Sequence, residues 1–155
     1  MGLTIELITV LSKTSAITST KKLVPAVRSV VSCSKSLSSL FTIYAFLTKP
    51  KSFNSYIAIS GAFPDCGPYF RELSLASFQQ IDQFNGQKLF ITNGLKDEID
   101  PDGEMNREMA DFSNSVKDKL GDRIKFKYLT YENGGHMPFY SLYDGLKFIY
   151  EHKSR

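Results

Sequence analysis

Only two cysteines, Cys33 and Cys66, occur in the 155 residues. They are too few for a disulfide framework, and neither stands in the CxxC spacing of a metal or redox site. No uninterrupted apolar run approaches the roughly 18–20 residues that a membrane-spanning helix needs, so no membrane partner is expected. Carboxylates are nearly missing from the first part of the chain: of 16, only Glu6 precedes Asp65. Residues 1–64 therefore carry 7 Lys/Arg against 1 acid, and residues 65–155 carry 12 against 15. The lysines of the first part, Lys13, Lys21, Lys22 and Lys35 among them, are scattered and the formal net charge is only +3. A nucleic-acid partner is not expected from so mild and dispersed a balance.

What is present is ordinary globular composition, 42% hydrophobic and 23% charged, enough for one packed domain and too apolar for a disordered chain. Leu3 to Leu11 imitates the apolar core of a signal peptide, but Glu6 interrupts it and no Lys or Arg precedes it. Gly2 is followed at position six by Glu6, where myristoylation wants Ser or Thr. The expectation is a leaderless, cytoplasmic chain. Residues 12–22, rich in Ser, Thr and Lys, read as a polar linker.

From Val27 the pattern becomes regular. Val27 to Cys33 is a short β-branched run that predicts a buried strand, with Cys33 an inert core thiol. Leu37, Leu40, Phe41, Tyr44 and Leu47 recur at helical spacing, and Pro50 ends that helix. Tyr56 to Ser60 predicts a second strand, followed by a Pro/Gly-rich loop and a helix over Arg71–Phe84. Lys88 to Asn93 predicts a third strand, stopped by Gly94. Met105, Met109, Phe112, Val116 and Leu120 form one stripe of a helix over Glu104–Leu120, with Gly121 at its C-cap. Ile124 to Tyr131 predicts a fourth strand, and Pro138 opens a last helix over Phe139–Glu151. Strands alternating with helices at this spacing predict an α/β fold, a mostly parallel sheet of about four strands with helices on both faces.

In such sheets ligands bind beyond the carboxyl ends of the strands. After the first strand stands Ser34-Lys35-Ser36-Leu37-Ser38, a serine at the apex of a strand-to-helix turn with small residues two places before and after it. That is the shape of a nucleophile elbow, and equally of a polar turn with Ser36 as a helix N-cap. After the third strand comes Gly94 to Pro101, whose carboxylates (Asp97, Glu98, Asp100) suit either the orientation of a histidine or the N-terminus of the Glu104 helix. Its spacing does not match a calcium loop, and no metal ligand set is expected. After the fourth strand comes Glu132-Asn133-Gly134-Gly135-His136-Met137-Pro138. His136 is one of two histidines, the other being His152 in the charged tail. Serine, acid and histidine, each after a different strand, follow the chain order of the α/β-hydrolase triad.

From Leu40 onward the chain resembles the C-terminal half of the esterase family of α/β-hydrolases that includes enterobactin-type siderophore esterases and related bacterial carboxylesterases. The resemblance is carried by Leu40 to Pro50, by Phe53 to Ser60, by Gly135-His136 and by Ser141 to Tyr150. In that family the segment before the Leu-Phe pair is Gly-His-Ser-x-Gly-Gly, which falls on Ser34-Lys35-Ser36-Leu37-Ser38-Ser39. The resemblance implies that residues 27–155 form the C-terminal half of such a domain and that residues 1–26 lie outside the family, with residues 3–11 a possible edge strand.

It further implies a serine hydrolase of carboxylic esters, siderophore-type esters among them, needing no cofactor. Ser36 would be nucleophile, His136 base, Asp97 the acid (with Glu98 and Asp100 as alternatives) and the backbone N–H of Leu37 an oxyanion donor. Phe63, Tyr69, Phe70 and Phe139 are expected to contact the substrate, a small ester. Three departures accompany the likeness. The family's glycines around the nucleophile are Ser34, Ser38 and Ser39, and its histidine is Lys35. These substitutions are expected to strain the elbow and turn Ser36 away. The family's N-terminal half has no counterpart, which leaves one edge of the first strand open and favours self-association. A hydrolase-derived scaffold without catalysis is the alternative reading.

Overall fold

The computed structural model describes residues 31–61 and 66–151. Four strands form one sheet: β1 (Val31–Lys35), β2 (Ser55–Ile59), β3 (Lys88–Gly94) and β4 (Lys125–Tyr131). Their spatial order follows the chain and every pairing is parallel. The main helices among the described residues are α1 (Ser39–Thr48), α2 (Gly67–Ser77), α3 (Glu104–Leu120) and α4 (Ser141–Tyr150). The α/β architecture expected from the alternation is the one observed.

Parallel strands joined by helical crossovers are buried on both faces and read as apolar runs. β2 shows this fully, being buried from Ser55 to Ile59. On one face Tyr56, Ala58, Leu89 and Ile91 meet Ile43, Phe46 and Leu47 of α1, Phe70 of α2 and Met109, Phe112, Val116 and Leu120 of α3. On the other, Ile57, Ile59 and Phe90 meet Phe148 and Ile149 of α4. Gly145 is what lets α4 lie this low. A Cβ there would stand 3.0–3.1 Å from Ile57 and Phe90 side-chain atoms.

Several boundaries differ from expectation. The first strand, expected to end at Cys33, continues through Ser34 and Lys35 because its pairing with Ala58 and Ile59 of β2 persists; its expected start at residues 27–30 lies outside the described residues. The second helix begins at Gly67 rather than Arg71, since Pro68 sits in its first turn, where a proline costs no hydrogen bond. It is α-helical only to Ser77, and a 3-10 segment with a kink at Gln80 completes it to Phe84. The last helix starts at Ser141 instead of Phe139, after the Ser141 hydroxyl and N–H have both bonded the Pro138 carbonyl.

Cys33 is not a core thiol: it is exposed. It points to the face covered by α4, and that helix packs mainly over β2 and β3. Cys33 is a free thiol. β1 pairs with β2 alone among the described residues. The segment expected to cover its other edge, residues 3–11, lies outside them. No helix among the described residues is long and apolar enough to cross a membrane.

Candidate active site

Ser36 stands directly after β1 and opens a 3-10 turn, Ser36–Ser38, that leads into α1. Its φ is +55°, the left-handed region, which costs a non-glycine residue of order 1–3 kcal/mol unless its surroundings impose it. Such a strained apex lifts the side chain clear of both strand and helix, which is the purpose of a nucleophile elbow. It is not the geometry of an N-cap, whose backbone is extended.

Ser34, Ser38 and Ser39, which stand where the resembled family carries glycines, brace this turn instead of distorting it, contrary to expectation. The Ser38 hydroxyl donates to the Lys35 carbonyl at 2.6 Å and accepts from the Lys35 N–H at 3.2 Å, spanning the apex. The buried Ser39 hydroxyl lies 2.7 Å from the Ile59 carbonyl and 3.2 Å from that of Ser34, tying the first turn of α1 to the ends of β1 and β2. The Ser34 and Ser32 hydroxyls reach the Thr42 hydroxyl at 2.5 and 3.0 Å. Sequence reasoning missed this network. Its only signal was that every replaced glycine became the same hydroxyl residue.

His136 bridges the other two loops. Its Nε2 is 2.7 Å from Ser36 Oγ, and its Nδ1 is 2.7 Å from Asp97 Oδ2. A carboxylate only accepts, so Nδ1 carries the ring proton and Nε2 accepts from the serine hydroxyl. Three residues up to 100 positions apart thus form one continuous hydrogen-bonded line. The other Asp97 oxygen accepts from the Ile99 N–H at 3.0 Å, which fixes the carboxylate plane.

The two alternative acids are placed differently. Asp100 is buried and accepts from the N–H groups of Met105 and Asn106 at 3.1 and 3.0 Å and from Asn106 Nδ2 at 2.9 Å. It therefore satisfies the orphan donors at the start of α3. Glu98 is exposed. Asn106 also donates to the Gly94 carbonyl at 3.2 Å, coupling this cap to the end of β3. Around the base of the histidine loop, the Tyr131 hydroxyl donates to Asp144 of α4. Burial and that carboxylate push the Tyr131 phenol well above its ordinary range.

The residues expected to contact substrate are dispersed. Phe63 lies outside the described residues. Phe70 is buried in the core and lines, with Arg71, Glu108 and Phe112, a groove of about 280 Å³ between α2 and α3. Tyr69 is exposed and meets Phe70 edge-on at 5.6 Å. Phe139 is 90% exposed, three residues beyond His136. No group of His, Cys, Asp and Glu suited to a metal ion occurs among the described residues.

No protein-family model matches the chain, and no curated protein matches it. Solved structures do. An IroE-like serine hydrolase from Shewanella oneidensis superposes with a TM-score of 0.65 at 16% identity, over 77% of this chain and 39% of that one. The BES protein from Bacillus cereus superposes with a TM-score of 0.64 at 20% identity, over 79% of this chain and 45% of that one. The chain has the fold of the α/β-hydrolases, in part. It spans less than half the length of each of these two structures. At such identities the likeness extends to the fold alone, and chemistry must be argued from the site.

Proposed function

We propose that this chain is a serine hydrolase of carboxylic esters. The observation that carries the reading is the unbroken Ser36–His136–Asp97 line, met at a positive-φ elbow. Ser36 Oγ attacks the ester carbonyl carbon and gives its proton to His136 Nε2. The tetrahedral oxyanion forms beside the Leu37 N–H, the donor the elbow itself offers. On collapse the carbon–oxygen bond to the alcohol breaks, and His136 returns the proton to the departing alkoxide. Water then repeats the sequence against the acyl-enzyme: its proton passes to His136, its oxygen bonds the acyl carbon, and the carboxylic acid leaves as Ser36 Oγ recovers the proton. Asp97 holds the imidazole in the tautomer both halves need and stabilises the imidazolium between them. The sequence resemblance supports esters as the substrate class, siderophore-type esters among them.

Turnover of p-nitrophenyl acetate by the wild type and by Ser36→Ala tests the reading. Loss of at least about 10³-fold in kcat is expected, since a serine triad without its nucleophile retains only binding and oxyanion effects. Equal rates would remove Ser36 as nucleophile and leave the chain a hydrolase-derived scaffold.

A further inference from the structure

Twelve large apolar side chains stand exposed among the described residues, and five of them lie within three positions of a triad member: Leu37, Leu95, Ile99, Met137 and Phe139. Consecutive Cα atoms are about 3.8 Å apart, so each of the five has its Cα within about 11 Å of the nearest triad Cα. The loops that carry them are drawn together by the two 2.7 Å triad contacts and by the Lys96 N–H to Gly134 carbonyl bond at 2.9 Å. The five therefore stand on the three loops that meet at the Ser36–His136–Asp97 line. The other seven lie elsewhere, four of them (Leu142, Tyr143, Leu146 and Tyr150) on α4; apolar side chains on the loops of a reactive serine are the ones an incoming substrate would meet.

Charge on the same loops gives no contrary signal. Lys35 and Lys96 stand with Glu98, Asp102 and Glu132, all five exposed, so the two signs are mixed. The rim thus offers neither the cationic cluster that would hold a polyanionic ester nor the anionic one that would hold an amine. Leu37 follows the nucleophile in the chain, Leu95 and Ile99 stand on the loop of Asp97, and Met137 and Phe139 on the loop of His136.

We propose that this apolar collar binds the acyl chain of the substrate, so that the site prefers neutral esters of medium-chain aliphatic acids over acetyl esters. The proposal rests on the serine-hydrolase reading and narrows its substrate class. Each fully buried methylene is worth about a fourfold gain in kcat/KM, and an open collar realises part of it.

The experiment compares kcat/KM for p-nitrophenyl acetate and p-nitrophenyl octanoate in the wild type, in Ile99→Ser/Met137→Ser and in Ser36→Ala. Ile99 and Met137 are 58% and 56% exposed, so their replacement removes no core packing. The wild-type octanoate/acetate ratio is expected to be about 10 to 100, with the double variant lowering it at least about fivefold. A flat or falling chain-length profile with turnover that still depends on Ser36 overturns the collar alone, as does a ratio the double variant leaves unmoved. Turnover that survives Ser36→Ala overturns the underlying hydrolase reading and the collar with it.

Discussion

An ideal Cβ placed on Gly94 would stand 2.1 Å from the Gly135 carbonyl oxygen and 2.3 Å from that of Gly134. The obstruction is backbone, which no rotamer change relieves. At this seam the Leu95 N–H donates to the Tyr131 carbonyl and the Lys96 N–H to the Gly134 carbonyl, both at 2.9 Å. The loop holding Asp97 and the loop holding His136 are thereby laced edge to edge. Gly94→Ala must push them apart. Because a 1 Å misplacement costs about 100-fold in rate, kcat is expected to fall by about that factor while KM moves little. Steady-state kinetics on a folded Gly94→Ala protein check this; an unaltered kcat would show that the seam does not position the imidazole.

Ser38 offers a second test of positioning. Ser38→Ala deletes both hydrogen bonds across the elbow, while Ser38→Thr keeps a hydroxyl at the same place. Two lost bonds correspond to about 1–2 kcal/mol in urea unfolding. The acylation rate of Ser36 is expected to drop about tenfold in the alanine variant, as the strained apex relaxes, and to recover in the threonine variant. Equal rates in all three would mean that the turn holds its shape without the brace.

Asp97 and Asp100 separate by what each substitution damages. Asp97→Asn should lower kcat by about 10⁴-fold through the wrong histidine tautomer, with the unfolding midpoint nearly unchanged. Asp100→Asn should do the reverse, costing about 1–2 kcal/mol of stability through the weakened α3 cap and much less activity. Thermal unfolding and kinetics on the same two preparations decide it. A catalytic collapse confined to Asp100→Asn would exchange the assigned roles.

Sequence alone made the Ser36–His136–Asp97 line legible because serine, acid and histidine each follow a different strand, and the alternation that places strand ends on one rim is a period effect. The choice among Asp97, Glu98 and Asp100 was not legible. It depends on which carboxylate the start of α3 consumes, and that is a matter of backbone N–H direction. The braced elbow was misread for a similar reason: glycine-to-serine changes were judged by steric cost, whereas the hydroxyls of Ser38 and Ser39 repay it in hydrogen bonds. Cys33 was misread because β-branched neighbours look equally buried whether or not a helix covers the strand. Phe70 was assigned to the substrate on aromatic character alone, and its place in the core follows from where α2 begins, which the Pro/Gly-rich segment concealed.

Glu108 gives a pH-dependent prediction. Burial, and then the nearby Glu104 carboxylate, raise its pKa above the ordinary glutamate value. A group whose folded pKa is raised contributes stability below its unfolded pKa and loses it as pH rises through the folded one. At neutral pH the ionised carboxylate therefore opposes folding. Glu108→Gln should raise Tm near pH ~7, and this gain should disappear toward pH ~4, where the wild-type group is protonated. A gain that persists unchanged at the lower pH would place its cause elsewhere than in ionisation.

The most direct measurement of the central claim is intact-mass analysis after reaction with a fluorophosphonate, which phosphonylates a serine only when a neighbouring base activates it. The account predicts a single adduct mapping to Ser36, formed by the wild type and abolished in His136→Ala and in Ser36→Ala. No adduct on the folded wild type, or an equal yield in His136→Ala, would contradict it.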